Sequence, residues 1–223
     1  MNQLQEIIQN DETYYMNTFG KRISVAFTHG EGMTLFDTEG KAYLDFFAGI
    51  AVNSLGYCHP ALTETIRQQA GKLLHTSSVF YIEQQAALAK LLVEHSCADR
   101  VFFCNSGAEA NEAAIKLARK YFWKKGEKRP KFITLQQSFH GRTLATISAT
   151  GQEKYQKPYA PLVEHFVHLP INDLNAMRKE ADIETAAVIL ELIQGESGVH
   201  PLEESYLKAV SYTHLTLPTT ERV

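Results

Sequence analysis

FFCNSGAEANEAAIKLARKY, residues 102 to 121, joins an apolar strand end, a small-residue turn and an amphipathic helix. The run Val101, Phe102, Phe103, Cys104 suits a buried parallel strand, and Asn105, Ser106 and Gly107 break it with turn-forming residues. A helix is predicted to begin near Ala108. Glu109 and Glu112 stand at its start and Lys116, Arg119 and Lys120 toward its end, the charge order that a helix dipole favours. Ala114, Leu117, Ala118 and Tyr121 supply one apolar stripe. The unpaired N–H groups at such a helix start, flanked by residues too small to obstruct an anion, can hold a phosphate without a lysine. A plain strand-turn-helix junction explains the same residues, so the surrounding sequence has to discriminate.

Upstream, short strand-like pieces between Val25 and Asp45 alternate with the turn signals Gly30-Glu31-Gly32 and Thr38-Glu39-Gly40, which predicts a small antiparallel unit. Pro60 to Leu74 and Gln84 to His95 read as amphipathic helices, the first opened by its proline. Downstream, strands are predicted at Lys131 to Leu135, His165 to Leu169 and Ala187 to Ile193. Helices are predicted near Thr143 to Ser148 and from Asn172 to Glu180, the second capped by Asn172 or Asp173. Strands alternating with helices imply an α/β chain with a mainly parallel sheet flanked by helices. In such sheets ligands collect at the carboxyl ends of the strands.

Three ordered segments, SGAEANEAAIKLAR at 106 to 119, SFHGRT at 138 to 143 and ELIQGESG at 191 to 198, resemble the class III aminotransferases. The resemblance covers about residues 12 to 209, with AVNSLGYCHP at 51 to 60 and HTSSVFY at 75 to 81, and is closest to the acetylornithine-type members. It implies part of the fold type I architecture of pyridoxal-phosphate enzymes. Residues 1–50 would belong to the small domain, 51–209 to an incomplete cofactor-binding domain, and 210–223 to a tail foreign to the family.

The resemblance also assigns roles. Ser106, Gly107 and Ala108 would take the phosphate of pyridoxal 5'-phosphate, and Phe139 would stack on its ring. His140 reads either as a group that orients the cofactor region or as a core histidine in a satisfied hydrogen bond. Arg142 would grip a substrate carboxylate in the planar, two-pronged manner that lysine cannot reproduce. Glu191 and Glu196 would line the substrate pocket, where such glutamates can pair with an arginine that gates the second substrate. The implied reaction moves the δ-amino group of N-acetylornithine to 2-oxoglutarate in a cytoplasmic homodimer. Ornithine, succinylornithine and 4-aminobutyrate stand as alternative donors. Tyr57 replaces a histidine usual in the family, Ser78 an asparagine, Leu192 a proline and Ser197 a small residue, usually glycine, all at the pocket wall.

An aminotransferase of this class also needs a carboxylate on the pyridinium nitrogen and a lysine that carries the cofactor, in that order after the ELIQGESG-like segment. Here the last aspartate is Asp182 and the last lysine Lys208. The chain alone is therefore expected to be a truncated form without transaminase activity, and a non-catalytic or misfolded fragment is the rival expectation. Residues 211 to 223, SYTHLTLPTTERV, read as an artefactual ending.

Composition narrows the remaining classes. In 223 residues, 44% hydrophobic content suffices for a packed core, and a net charge of −3 offers no general field for nucleic acid or anionic lipid. Cys58, Cys97 and Cys104 are widely spaced, as in a reducing compartment. His165 and His168 have no further ligand nearby, so no metal site is predicted. The acidic, polar start lacks the pattern of a signal peptide, and apolar runs such as FFAGIAV are too short to span a bilayer. No G-x-x-x-x-G-K-[ST] occurs and no G-x-G-x-x-G follows the first strand, which argues against a nucleotide-binding domain.

Overall fold

The computed structural model of the chain describes residues 2–196 and 198–212, and its contacts divide between Ile82 and Glu83 into two compact units. The ending at 213–223 and the departure at Ser197 therefore lie outside the described residues.

The first unit opens on α1 (Gln3–Tyr14), a helix the sequence reading did not anticipate. Asn2 starts it with a capping box: its side chain accepts from the Gln5 N–H, and the Gln5 side chain accepts from the Asn2 N–H. The expected antiparallel unit is present as β1 (Phe27–Glu31), β2 (Thr34–Asp37) and β3 (Ala42–Leu44), paired in that order. Gly32 and Tyr57 exchange backbone hydrogen bonds of 3.0 and 2.7 Å, and the Tyr57 hydroxyl donates to Asp45 at 2.7 Å. Tyr57, where the family's histidine would stand, thus straps this small sheet. A short turn, α2 (Ala48–Ala51), precedes α3 (Pro60–Ala70). The latter stops at Gly71, short of the predicted Leu74, because glycine gains least from continuing a helix.

In the second unit α4 (Glu83–Glu94) leads to α5 (Gly107–Lys124). The strand predicted at Val101 to Cys104 is not formed, and Phe102 is 71% exposed. A strand needs a neighbour to take its backbone groups. None of the described strands pairs with this segment: the parallel sheet consists of β4 (Lys131–Leu135) between β5 (Phe166–Leu169) and β6 (Thr185–Val188).

Helix α6 (Leu144–Ala149) starts at the Thr143 cap, and α7 (Glu153–Gln156) follows it, continued by a single turn at Lys157–Tyr159. Helix α8 (Leu174–Glu180) is capped by Asp173, whose carboxylate accepts from the Ala176 N–H. The strand expected at Ala187 to Ile193 splits. Its first part belongs to β6, which begins at Thr185 and ends at Val188 opposite Ile133. Its end becomes β7 (Ile193–Gln194), paired with β8 (His200–Pro201). Helix α9 (Glu204–Tyr212) runs past the Ala209 at which the helical pattern was expected to fade.

Alternation along β4 builds two cores. Ile133 and Leu135 pack with Leu169, Met177, Leu202, Tyr206 and Val210, while Phe132 packs with Ile115, Phe122 and Ala186. The sheet is covered on one face by α8 and α9 and on the other by α5. The buried stripe of α5 is rotated from the predicted one: Ile115 and Phe122 are buried and Ala118 and Tyr121 partly so, whereas Leu117 faces outward at 71% exposure. The start of β4 is pinned by Lys131, whose ammonium reaches Asp182 at 2.7 Å and Glu180 at 3.2 Å.

Candidate active site

The turn Asn105-Ser106 delivers the chain into α5 with its first amides free. Ser106 is the cap, and its hydroxyl oxygen accepts from the Glu109 N–H at 3.2 Å. The Glu109 carboxylate folds back and accepts from the Asn105 N–H, the Asn105 side-chain amide and the Ser106 hydroxyl at 2.9, 3.2 and 3.0 Å. These hydrogen bonds, led by that of Asn105, hold the Glu109 carboxyl below its ordinary range. Ser106→Ala should cost about 1 kcal/mol of stability, read as a lower urea midpoint with unchanged slope. The N–H groups of Gly107 and Ala108 have no hydrogen-bond partner among the described residues, and a side chain added at Gly107 would meet open space. Two free amides at the positive end of an 18-residue helix are what a phosphate requires.

The SFHGRT loop lies against this turn. A Cβ on Gly141 would sit 3.0 Å from that of Ala108, so the loop passes the cradle at van der Waals distance. Asn111, one turn into α5, donates to the His140 carbonyl at 2.7 Å, and Thr143 donates to Glu112 at 2.5 Å. From the other side, the His140 N–H donates to the Thr150 hydroxyl at 2.9 Å, the Gly151 N–H to the Ser138 hydroxyl at 3.0 Å, and the Gln152 amide to the Ser138 carbonyl at 2.9 Å. The Phe139 N–H donates to the Glu191 carboxylate at 3.0 Å. Burial pushes the Glu191 carboxyl up against the opposing effect of that N–H, and the Glu196 charge pushes it further.

His140 is 5% exposed, its Nε2 has no partner, and burial with the nearby His168 lowers its pKa to about 4. It sits in the loop as a neutral, incompletely bonded imidazole. Next to it, His168 bonds Thr134 at 2.6 Å and Gln156 at 3.1 Å, which ties α7 to the sheet.

Phe139 meets the ring of Tyr155 edge-on at 6.2 Å. The Arg142 guanidinium lies over both rings, 5.9 Å from Phe139 and 5.6 Å from Tyr155, and forms no ion pair among the described residues. The Tyr155 hydroxyl donates to Glu196 at 2.6 Å. The structure thus connects the cradle at Ser106, Gly107 and Ala108 through the 138–143 loop to Phe139, Arg142, Glu191 and Glu196. Sequence reading missed Asn111 and Tyr155. Asn111 was legible in principle, since helical spacing puts it on the face of Gly107 and Ala108. Tyr155, in the polar run GQEKYQK, carried no signal.

A helix start with two free amides thus lies beside an aromatic loop and an arginine without an ion pair among the described residues. The profile of the aminotransferases of class III matches residues 15–213. The chain belongs to the class III aminotransferases. The acetylornithine aminotransferase of Synechocystis sp. is 54% identical over 207 residues, which cover 89% of this chain and 48% of that protein. That of Caldanaerobacter subterraneus subsp. tengcongensis is 51% identical over 205 residues, 92% of this chain and 52% of that one. Among solved structures, the ornithine aminotransferase of Toxoplasma gondii ME49 superposes with a TM-score of 0.86 at 29% identity, over 94% of this chain and 50% of that one. The adenosylmethionine-8-amino-7-oxononanoate aminotransferase of Methanocaldococcus jannaschii gives 0.87 at 28% identity, over 93% and 51%. The chain spans about half the length of the curated relatives it matches. The described part therefore has the fold type I architecture, and the cofactor of this class III family is pyridoxal 5'-phosphate.

The residues present fit that group. The free Gly107 and Ala108 amides suit its phosphate, and Phe139 offers a ring held by the bonds on either side of it. Among the described residues no cluster of three or more His, Cys, Asp or Glu side chains could hold a metal ion. None of the described helices is long and apolar enough to cross a membrane.

Proposed function

We propose that this chain carries the phosphate cradle and the carboxylate-binding side of an enzyme that transfers the δ-amino group of N-acetylornithine to 2-oxoglutarate. The observation that carries the proposal is Arg142, a guanidinium without a carboxylate partner, held over two rings in a loop that touches the cradle. The names of the acetylornithine aminotransferases reported above support N-acetylornithine over the other ω-amino donors. When bound, the cofactor supplies a carbonyl that accepts the amino group and a ring that draws off electrons. The chain's own residues bind and orient. Gly107 and Ala108 hold the phosphate, Phe139 fixes the plane of the ring, and Arg142 holds the substrate carboxylate remote from the reacting amine. Glu191, whose carboxyl burial pushes up, and Glu196 border the same space. A cytoplasmic homodimer belongs to this proposal, and the exposed Phe46, Phe80 and Tyr81 in the first unit suit cover by a second subunit.

The test compares two ligands that need no turnover: pyridoxamine phosphate, and the reduced conjugate of pyridoxal phosphate with the δ-nitrogen of N-acetylornithine. The conjugate adds a carboxylate to the same phosphate and ring. Charge-assisted hydrogen bonds of this kind contribute about 1.5–3 kcal/mol, so Arg142→Ala should weaken the conjugate by roughly tenfold to a hundredfold. Pyridoxamine phosphate should bind as before, and Arg142→Lys should recover only part of the loss. Equal binding of the conjugate by parent and Arg142→Ala chains would refute the assignment.

A further inference from the structure

We propose that Tyr155 keeps Arg142 open to a substrate carboxylate by holding the competing Glu196 carboxylate through its hydroxyl. The inference rests on the reading of Arg142 given above and adds a positioning residue to that site.

Tyr155 meets Arg142 and Glu196 with different parts of its side chain, while its ring also touches Phe139 and carries the Lys154 ammonium at 4.6 Å. Its half-buried ring lies under the Arg142 guanidinium at 5.6 Å, and its hydroxyl donates to Glu196 at 2.6 Å. One tyrosine therefore separates an exposed cation from an exposed anion. Left to themselves, such groups form an ion pair, and arginine with carboxylate does so in a two-pronged geometry. No Arg142–Glu196 pair is formed among the described residues. The Glu196 oxygen is already committed to the phenol. The guanidinium, supported by two ring faces, keeps its N–H donors available. Glu191 does not take the place of Glu196, because its carboxylate accepts from the Phe139 N–H.

Tyr155→Phe separates the two contacts, since it keeps the ring and removes only the hydroxyl. Glu196 is then free to close on Arg142 and compete with a bound carboxylate. An exposed pair of this kind competes by about threefold to fivefold. The expected result is that fall in the preference for the phosphopyridoxyl conjugate of N-acetylornithine over pyridoxamine phosphate, with pyridoxamine phosphate affinity unchanged. In a Glu196→Gln background, Tyr155→Phe should have no further effect on that preference, because the competing charge is gone. A hydroxyl that merely stabilised the loop would lower both ligands together and would do so in either background.

A parent chain that prefers the conjugate through Arg142, yet keeps its full preference in Tyr155→Phe, overturns the role of Tyr155 alone. The same holds if the loss persists in Glu196→Gln. A parent chain with no preference, or one that Arg142→Ala leaves intact, overturns the carboxylate site and the role of Tyr155 with it.

Discussion

Replacing Gly151 with alanine is expected to lower the unfolding free energy by about 3 kcal/mol, at the upper end of overpacking costs. A Cβ at this position would lie 2.2 Å from the Leu135 carbonyl oxygen and 2.9 Å from the Gln136 Cα. These are backbone atoms at the end of the central strand, and Leu135 is fully buried, so neither side can yield cheaply. Relief requires the 150–152 segment to leave β4. That movement would break the bond from the Gln137 N–H to the Gly151 carbonyl and the one from the Gly151 N–H to Ser138. It would also strain the bonds of Thr150 and Gln152 to the loop that carries Phe139. Urea denaturation should therefore show a much lower midpoint, and the surviving folded fraction should bind the phosphopyridoxyl conjugate poorly. Gly195→Ala is the control: a Cβ there meets nothing within 4 Å, and the change should stay within about 0.5 kcal/mol. Similar effects at the two glycines would contradict the close approach.

The second large effect is an acid sensitivity centred on His140. Its pKa is lowered from 6.5 to about 4, first by burial and then by His168. The unfolded chain thus binds a proton between these values that the folded chain refuses. Stability is fully present above pH 6.5 and falls as the pH is lowered toward 4, by about 3 kcal/mol over the whole window. Burial lowers the pKa of His168 as well and adds to the same trend. Between pH 7 and pH 4.5 the parent chain should lose about 2 kcal/mol more than His140→Leu, in which the position cannot titrate. Parallel pH profiles for the two proteins would show that His140 does not carry the sensitivity.

Local signals made most of the fold legible. The antiparallel unit followed from its glycine-marked turns, and β4 was bounded correctly because the strand-forming residues Phe132 to Leu135 lie between a proline at 130 and two glutamines at 136 and 137. The predicted helices erred at their ends, by a residue or a few, whereas α1 was not anticipated at all. The failures lay where tertiary context decides. Val101 to Cys104 has the composition of a buried strand, yet ladder formation depends on a partner that no local pattern encodes. The β6 boundary was misplaced because AAVIL at 186–190 is apolar throughout, while the turn away from β4 at Val188 is set by register. The site shows the same division. Ser106, Gly107, Ala108, Phe139 and Arg142 stood in recognisable segments. Tyr155 reaches Glu196 across 41 positions of sequence, and no spacing rule predicts such a contact.

The fastening of the 138–143 loop has a kinetic consequence. Its backbone is held from α5, from the 150–152 segment and from Glu191 before any ligand arrives. Ordering entropy is thus spent during folding and not at the encounter. A ligand approaching the cradle meets a finished surface, so association becomes a single diffusive step with no slower phase of loop closure behind it.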